Sequence, residues 1–345
     1  MTALLKSRQA ALVGGADIER LAGDTGSDAH GVLRHTEIGA WLEGERWRTA
    51  AERDQCLWRY LAETAAALQA QAFFPPQAQR FARVYLHKYD VANVKAVMQG
   101  LALERAPSVR PIGTIHAAGR LEALADAQDT DTAAAVLRAC GLPVFSDAVH
   151  RFKPTGGAPE RLALETRLEA EYHRALRHAA RSLDGGVVLA WACGVLIDLA
   201  NLSMLCRLLI ASGDTAGTGT TGAGTAGGDH FIPGGRMLSR QELQDGLSHG
   251  LGELPRRLSH EFHRAVAADV LEAYERVGAI GVTDVVIERE RLAMLRDLLA
   301  PQVAPAAVMM WFLVSKEIEL RNVRLGLVAV EDGLGFEQVR RQLLF

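Results

Sequence analysis

Cysteine is scarce in this chain and scattered. Only Cys56, Cys140, Cys193 and Cys206 occur in 345 residues, and no two form a CxxC pair. That spacing excludes a disulfide scaffold and a structural zinc framework, and predicts reduced, packed thiols of a cytosolic protein. Aromatic residues make up 6% of the chain, and no run alternates Val, Ile or Thr with polar residues between hairpin turns. Strand signals are therefore missing. Charge of one sign is also missing: the net charge is −3, so no global basic field invites nucleic acid. The longest uninterrupted apolar runs, Val187 to Ile197 and Ala306 to Val314, fall short of the roughly 20 residues a bilayer requires. Lys6, Arg8, Asp17, Glu19 and Arg20 interrupt the first turns, so no apolar leader is visible. These absences predict a soluble protein that meets a membrane only through a partner.

Catalytic and ligand-binding signatures are equally thin. Gly217-Thr218-Gly219-Thr220-Thr221-Gly222 matches GxGxxG, but a helix precedes it where a dinucleotide site needs a strand. No Gly-Lys-Ser/Thr follows, so the phosphate-loop lysine is missing. The surrounding tract, 213–228, is nearly all Gly, Thr and Ala and reads as an inserted low-complexity surface loop. His260-Glu261-Phe262-His263 sets its histidines at i and i+3, one residue short of the i, i+4 pair that converges on zinc. It reads as a solvated helix face. His173 and His178 lie five apart and point in different directions. There is no Gly-x-Ser-x-Gly elbow. The sequence assigns no catalytic residue, no metal ligand and no cofactor.

What the chain does contain is a helix written three times. Its copies carry Asp90-Val91-Ala92-Asn93, Asp198-Leu199-Ala200-Asn201 and Glu319-Leu320-Arg321-Asn322, each followed by an aliphatic residue. The first two copies lie 108 residues apart and the last two 121 apart, about one small domain each. Unbranched and Ala-rich composition favours helices. Helical spacing places a long helix at about 46–71 and the first motif helix at about 77–99, ending at Gly100. Further helices fall at 132–140, 159–183, 186–211, 241–254, 256–277, 282–299, 306–331 and 335–344, after two short helices in the first 44 residues. Glu165 precedes Asp198 by 33 residues and Glu288 precedes Glu319 by 31, so the long partner helix recurs at nearly the same place. The reading is an all-α fold of three related helical units, 1–125, 126–240 and 241–345.

Acid and Asn at i and i+3 share one helix face. Asp90, Asp198 and Glu319 sit in otherwise apolar segments, where an unpaired charge is costly. The economical reading is structural: Asp90 with Asn93, Asp198 with Asn201, and Glu319 with Asn322 bind the turn or helix crossing each unit. Lys95, Arg207 and Arg324 are candidate cations to complete these networks. Catalysis is the weaker alternative, because active sites are not normally built three times in one chain.

These residues resemble a known family. Lys88 to Lys95 followed by Ile112-Gly113-Thr114-Ile115 resembles the first unit of the C subunit of bacterial and archaeal V/A-type ATPases, whose eukaryotic counterpart is the d subunit. Ile197 to Leu202 is similar to that family's second unit. Ser315 to Arg324, with Gly335-Phe336-Glu337-Gln338-Val339-Arg340, looks like its C-terminal signature. The resemblance implies three pseudo-threefold-related helical domains forming a funnel-like socket. It also implies a place between the rotor shaft (D and F subunits) and the cytoplasmic mouth of the membrane rotor ring, where the protein transmits torque without hydrolysing ATP. Contact with the membrane would then run only through the ring, with no nucleic acid and no cofactor. Two departures stand out: a short N-terminus and the 213–228 tract. Two rival readings remain open, a helical scaffold or adaptor unrelated to rotary ATPases and a helical enzyme with a non-local site.

Overall fold

The computed structural model describes residues 2–10, 12–23, 29–211 and 231–344, so the Gly/Thr/Ala tract at 213–228 lies outside the described residues. Among the described residues the only regular elements are helices. The opening segment forms four short ones where the sequence predicts two: α1 (Thr2–Ala10), α2 (Gly15–Gly23), α3 (Ala29–Leu33) and α4 (Glu37–Leu42). Thr36 makes the break between α3 and α4. Its hydroxyl accepts from Gly39 N–H and caps α4. α5 (Ala50–Gln69) opens on a Thr49/Glu52 capping box.

α6 (Pro76–Leu103) runs past Gly100, the predicted stop. A Cβ at Gly100 would lie 2.8 Å from the Arg105 carbonyl oxygen, so that glycine admits the returning chain and does not end the helix. Then follow α7 (Thr114–Ala117), α8 (Leu121–Ala125), α9 (Thr130–Ala139), α10 (Pro143–His150), α11 (Gly157–Arg181) and α12 (Val187–Ala211). The predicted 241–254 and 256–277 helices resolve into α13 (Arg240–His249), α14 (Leu254–Arg257) and α15 (Glu261–Val277). The break before α15 is held by Ser259, whose N–H and hydroxyl both donate to Glu242, and His260 caps the new start. α16 (Val282–Leu299), α17 (Pro305–Asp332) and α18 (Phe336–Arg340) complete the series. Pro305 starts α17 and left-handed Gly333 (φ 64°) stops it.

By chain proximity the residues divide into two compact units. The first comprises 1–93, 108–122 and 299–345. Its centre is α17, buried on nearly every side and packed against α1, α2, α5 and α18. Gly326 lets α2 approach: a Cβ there would meet Leu21 Cδ2 at 2.6 Å.

The second unit comprises 94–107 and 123–298. Its centre is α12, which packs against α11, α13 and α15. Leu199, Leu202, Leu205 and Leu209 of α12 share one apolar cluster with Leu243, Leu254, Val266 and Val270. α12 is long and apolar enough to cross a membrane by length and composition, which a count of uninterrupted runs does not anticipate. Its middle nevertheless holds buried Asp198 and Asn201, both bonded to protein backbone, as a core helix does.

Candidate functional site: three carboxylate–asparagine clamps

In the first copy, Asn93 faces the backbone of residue 110 and bonds it in both directions. Its Oδ1 accepts from Arg110 N–H at 2.7 Å, and its Nδ2 donates to Arg110 O at 2.9 Å. One turn earlier, the two oxygens of Asp90 accept from Thr114 N–H (3.0 Å) and Ile115 N–H (2.9 Å). These are the free amides at the start of α7, whose own cap position, Gly113, has no side chain to offer. Gly113 is required there: its φ is +105°, and a Cβ would stand 2.5 Å from Asp90 Oδ1.

The second copy repeats the device and adds one more amide. Asn201 Oδ1 accepts from Ile232 N–H (2.7 Å) and its Nδ2 donates to Ile232 O (2.9 Å). Asp198 accepts from Arg236 N–H (3.0 Å), Met237 N–H (2.8 Å) and Leu238 N–H (3.3 Å). Gly235 lies against the carboxylate, where a Cβ would be 2.0 Å from Oδ1. The order along the crossing segment is the same in both: Asn-held residue (110, 232), glycine (113, 235), then the acid-held amides (114 and 115, 236 and 237).

The third copy is assembled differently. Asn322 again bonds one residue both ways, accepting from Leu344 N–H at 3.1 Å and donating to Leu344 O. Glu319, one methylene longer, accepts from Val13 N–H at 3.1 Å, an amide 306 positions away. Its other oxygen takes Lys316 Nζ at 2.8 Å. Lys316 is fully buried, donates to Tyr60 Oη at 2.8 Å, and lies 3.0 Å from Glu37 Oε2. Burial opposes its charge, but Glu319 and the Tyr60 hydroxyl hold its pKa above the usual lysine value. Burial and the Glu319 charge push the Tyr60 phenol up to about 12.

The candidate cations from the sequence are occupied elsewhere. Lys95 pairs with Glu169 (2.6 Å), Arg324 with Asp54 (2.7 Å), and Arg207 with Asp284. Their helix positions point them off the face that carries the acid and the Asn. The residues that do complete the clamps are Gly113, Gly235 and Lys316. A lysine three places before Glu319 in an apolar helix is a readable signal; the glycines gain meaning only once the backbone crossing is seen.

His263 corrects a further expectation. It is fully buried, not solvated, and stands 4.0 Å from Asp198 Oδ2 with neither ring nitrogen hydrogen-bonded. Burial and then the neighbouring His260 push it down to about 4. His173 is likewise buried, and desolvation lowers it to about 4. Among the described residues no group of three or more His, Cys, Asp and Glu is arranged to hold a metal.

Electrostatics sets a measurable signature at Asp90. Burial raises its pKa from 3.8 to about 6, against the pull of the Ile115 and Thr114 amides. A folded-state pKa above the unfolded one favours folding most below about pH 4. That contribution is lost as pH rises to about 6, and it totals about 3 kcal/mol. Asp90→Asn removes the titration. Urea midpoints measured from pH 4 to pH 7 should show the wild-type advantage shrinking by that amount, then levelling. A pH-independent difference would contradict a buried, titrating Asp90.

The Asp90 and Asp198 carboxylates accept from backbone amides through both oxygens, and Glu319 accepts from one amide and one ammonium, so each ties its helix to a distant part of the chain. Each clamp fixes a long helix to the chain that crosses it, which is a mechanical task.

The profile of the family described as ATP synthase (C/AC39) subunit matches residues 1–342. The C subunit of the A-type ATP synthase of Methanothermobacter thermautotrophicus is 23% identical over 252 residues, which cover 70% of this chain and 62% of that protein. The matched stretch thus spans less than two thirds of that relative's length. With three clamp helices in order along an all-helical chain, and a family profile matched from one end to the other, this chain belongs to the ATP synthase (C/AC39) subunit family.

Proposed function

We propose that this chain is a non-catalytic central-stalk subunit of a V/A-type rotary ATPase. It couples the soluble rotor shaft (D- and F-type subunits) to the membrane rotor ring, and so serves proton or sodium transport linked to ATP hydrolysis or synthesis. The reading places it on the cytoplasmic face as a peripheral subunit touching the membrane only through the ring. The observation that carries it is the family match over residues 1–342.

The clamps supply the physical reason such a part works. A coupler must resist twist, and a helix tied to the chain crossing it by several buried hydrogen bonds resists it better than one held by apolar contact alone. Asp90 with Asn93, Asp198 with Asn201, and Glu319 with Asn322 are the structural joints of three helical units, 1–125, 126–240 and 241–345. Those units form the socket that receives the shaft. The matching positions of Asn-held residue, glycine and acid-held amides in the first two clamps support descent from one repeated unit.

The test is an affinity pull-down of the tagged full chain from detergent-solubilised membranes, with bound chains identified by mass spectrometry. Stalk subunits and the ring subunit should be recovered together. Recovery of neither, with the chain folded and tagged, would reject the coupling role in favour of an unrelated scaffold.

A further inference from the structure

In the second unit a cavity of about 450 Å³ opens beside the second clamp. Three arginines, Arg177, Arg181 and Arg236, line it, together with the start of α12 at Gly186 and Val187. No acidic residue stands in the first turn of α12, and Gly186 has no side chain to cap the helix. The first intrahelical bond closes from Ala190 N–H to Gly186 O at 2.8 Å, so the amides of residues 187–189 precede the ladder.

The cations also lack a carboxylate partner. Among the described residues neither Arg181 nor Arg236 makes an ion pair through its side chain. Arg177 gives Nη1 to the Gly234 carbonyl, yet its Nε is buried with no hydrogen-bond partner. Gly234 permits that approach, since a Cβ there would meet Arg177 Nη1 at 2.0 Å. Arg236 is fixed at its backbone, where its N–H donates to Asp198 at 3.0 Å, so the clamp itself presents this guanidinium to the cavity.

Three guanidinium groups, none with a carboxylate partner among the described residues, gather at the positive end of a 25-residue helix, an arrangement that favours an anion between them. Guanidinium forks and helix-start amides are together the donors that phosphate oxygens take best. The volume exceeds one phosphate and leaves room for a substituent. Val187, 80% exposed, stands at the rim.

We propose that this cavity binds a phosphate-type dianion, as free phosphate or as the headgroup of an anionic phospholipid. The site is independent of the proposed coupling role, so its failure would leave the pull-down result untouched.

Isothermal titration of the full chain with inorganic phosphate at low ionic strength tests it. Sedimentation with vesicles of phosphatidylcholine, with and without phosphatidic acid, runs in parallel. Saturable one-to-one phosphate binding is expected, weakened at least tenfold in Arg181→Ala/Arg236→Ala. Co-sedimentation only with phosphatidic acid assigns a lipid headgroup, and phosphate binding without co-sedimentation assigns the free ion. Both arginines are exposed and unpaired, so the double variant should fold with an unchanged or slightly higher Tm in phosphate-free buffer. Val187→Asp supplies an internal anion at the helix start. It should raise the phosphate-free Tm while weakening phosphate binding to a similar degree. Absence of binding in both arms overturns the proposal, and so does phosphate affinity undiminished in the double variant, the mark of an adventitious ion only.

Discussion

Lys316→Met should lower the unfolding free energy by about 3–5 kcal/mol, the range for breaking a buried ion pair by removing one partner. The ammonium is fully buried and is shared by Glu319 (2.8 Å), Tyr60 Oη (2.8 Å) and Glu37 (3.0 Å). Methionine fills the space but leaves Glu319 with one amide, Val13 N–H, and no counter-charge. The double variant Lys316→Met/Glu319→Gln should recover most of the loss, because its glutamine still accepts from Val13 and no charge remains to desolvate. Since the Lys316 pKa is held above the usual 10.5, its contribution is fully present at neutral pH. It disappears only as alkali carries the pH through that raised value. Urea denaturation followed by circular dichroism measures both variants. A single-variant cost under about 1 kcal/mol, the range of an exposed pair, would show that the lysine is not working as a buried counter-charge.

Gly235→Ala should cost about 3 kcal/mol or more, although it adds a single methyl group. That carbon would sit 2.0 Å from Asp198 Oδ1 and 3.2 Å from Cγ, so the carboxylate must leave its cradle. Three amides, at 236, 237 and 238, then lose their acceptor, and a buried charge loses its donors. Each orphaned group carries about 1–3 kcal/mol. Gly113→Ala should match it in the first unit, where the 2.5 Å clash with Asp90 Oδ1 joins the φ of +105°. A non-glycine residue in such sparse regions carries about 1–3 kcal/mol of strain.

The decisive comparison is a double-mutant cycle with Asp198→Ala. Once the carboxylate is gone, Gly235→Ala should cost under about 1 kcal/mol, because its clash partner has been removed. Equal costs in both backgrounds would mean that Gly235 serves some purpose other than room for the acid. On the coupling role proposed above, loss of either clamp should also reduce recovery of stalk and ring subunits in the pull-down.

Much of the architecture is legible in the residue pattern. Helical periodicity places α12, α16 and α17 to within a residue or two, because each is a long stretch of helix-forming residues bounded by Gly or Pro. Boundaries go astray where a distant contact overrides the local signal. Gly100 reads as a stop but lies inside α6, since its bare Cα admits the Arg105 carbonyl. The helix predicted at 256–277 loses its first turn to the bonds between Ser259 and Glu242. His263 reads as exposed because three-residue spacing says which face a residue shares and nothing about what covers that face.

Residue order alone establishes that the chain is helical, that an acid and an Asn recur on one face of three helices, and that their succession matches one family. Those properties live within a turn or two of helix, where spacing dictates geometry. What each acid holds emerges only on packing: amides 24 and 25 positions away for Asp90, 38 to 40 away for Asp198, and 306 away for Glu319. A buried carboxylate must find donors wherever the chain happens to return, and the return path is set by how whole helices pack, which no local pattern encodes.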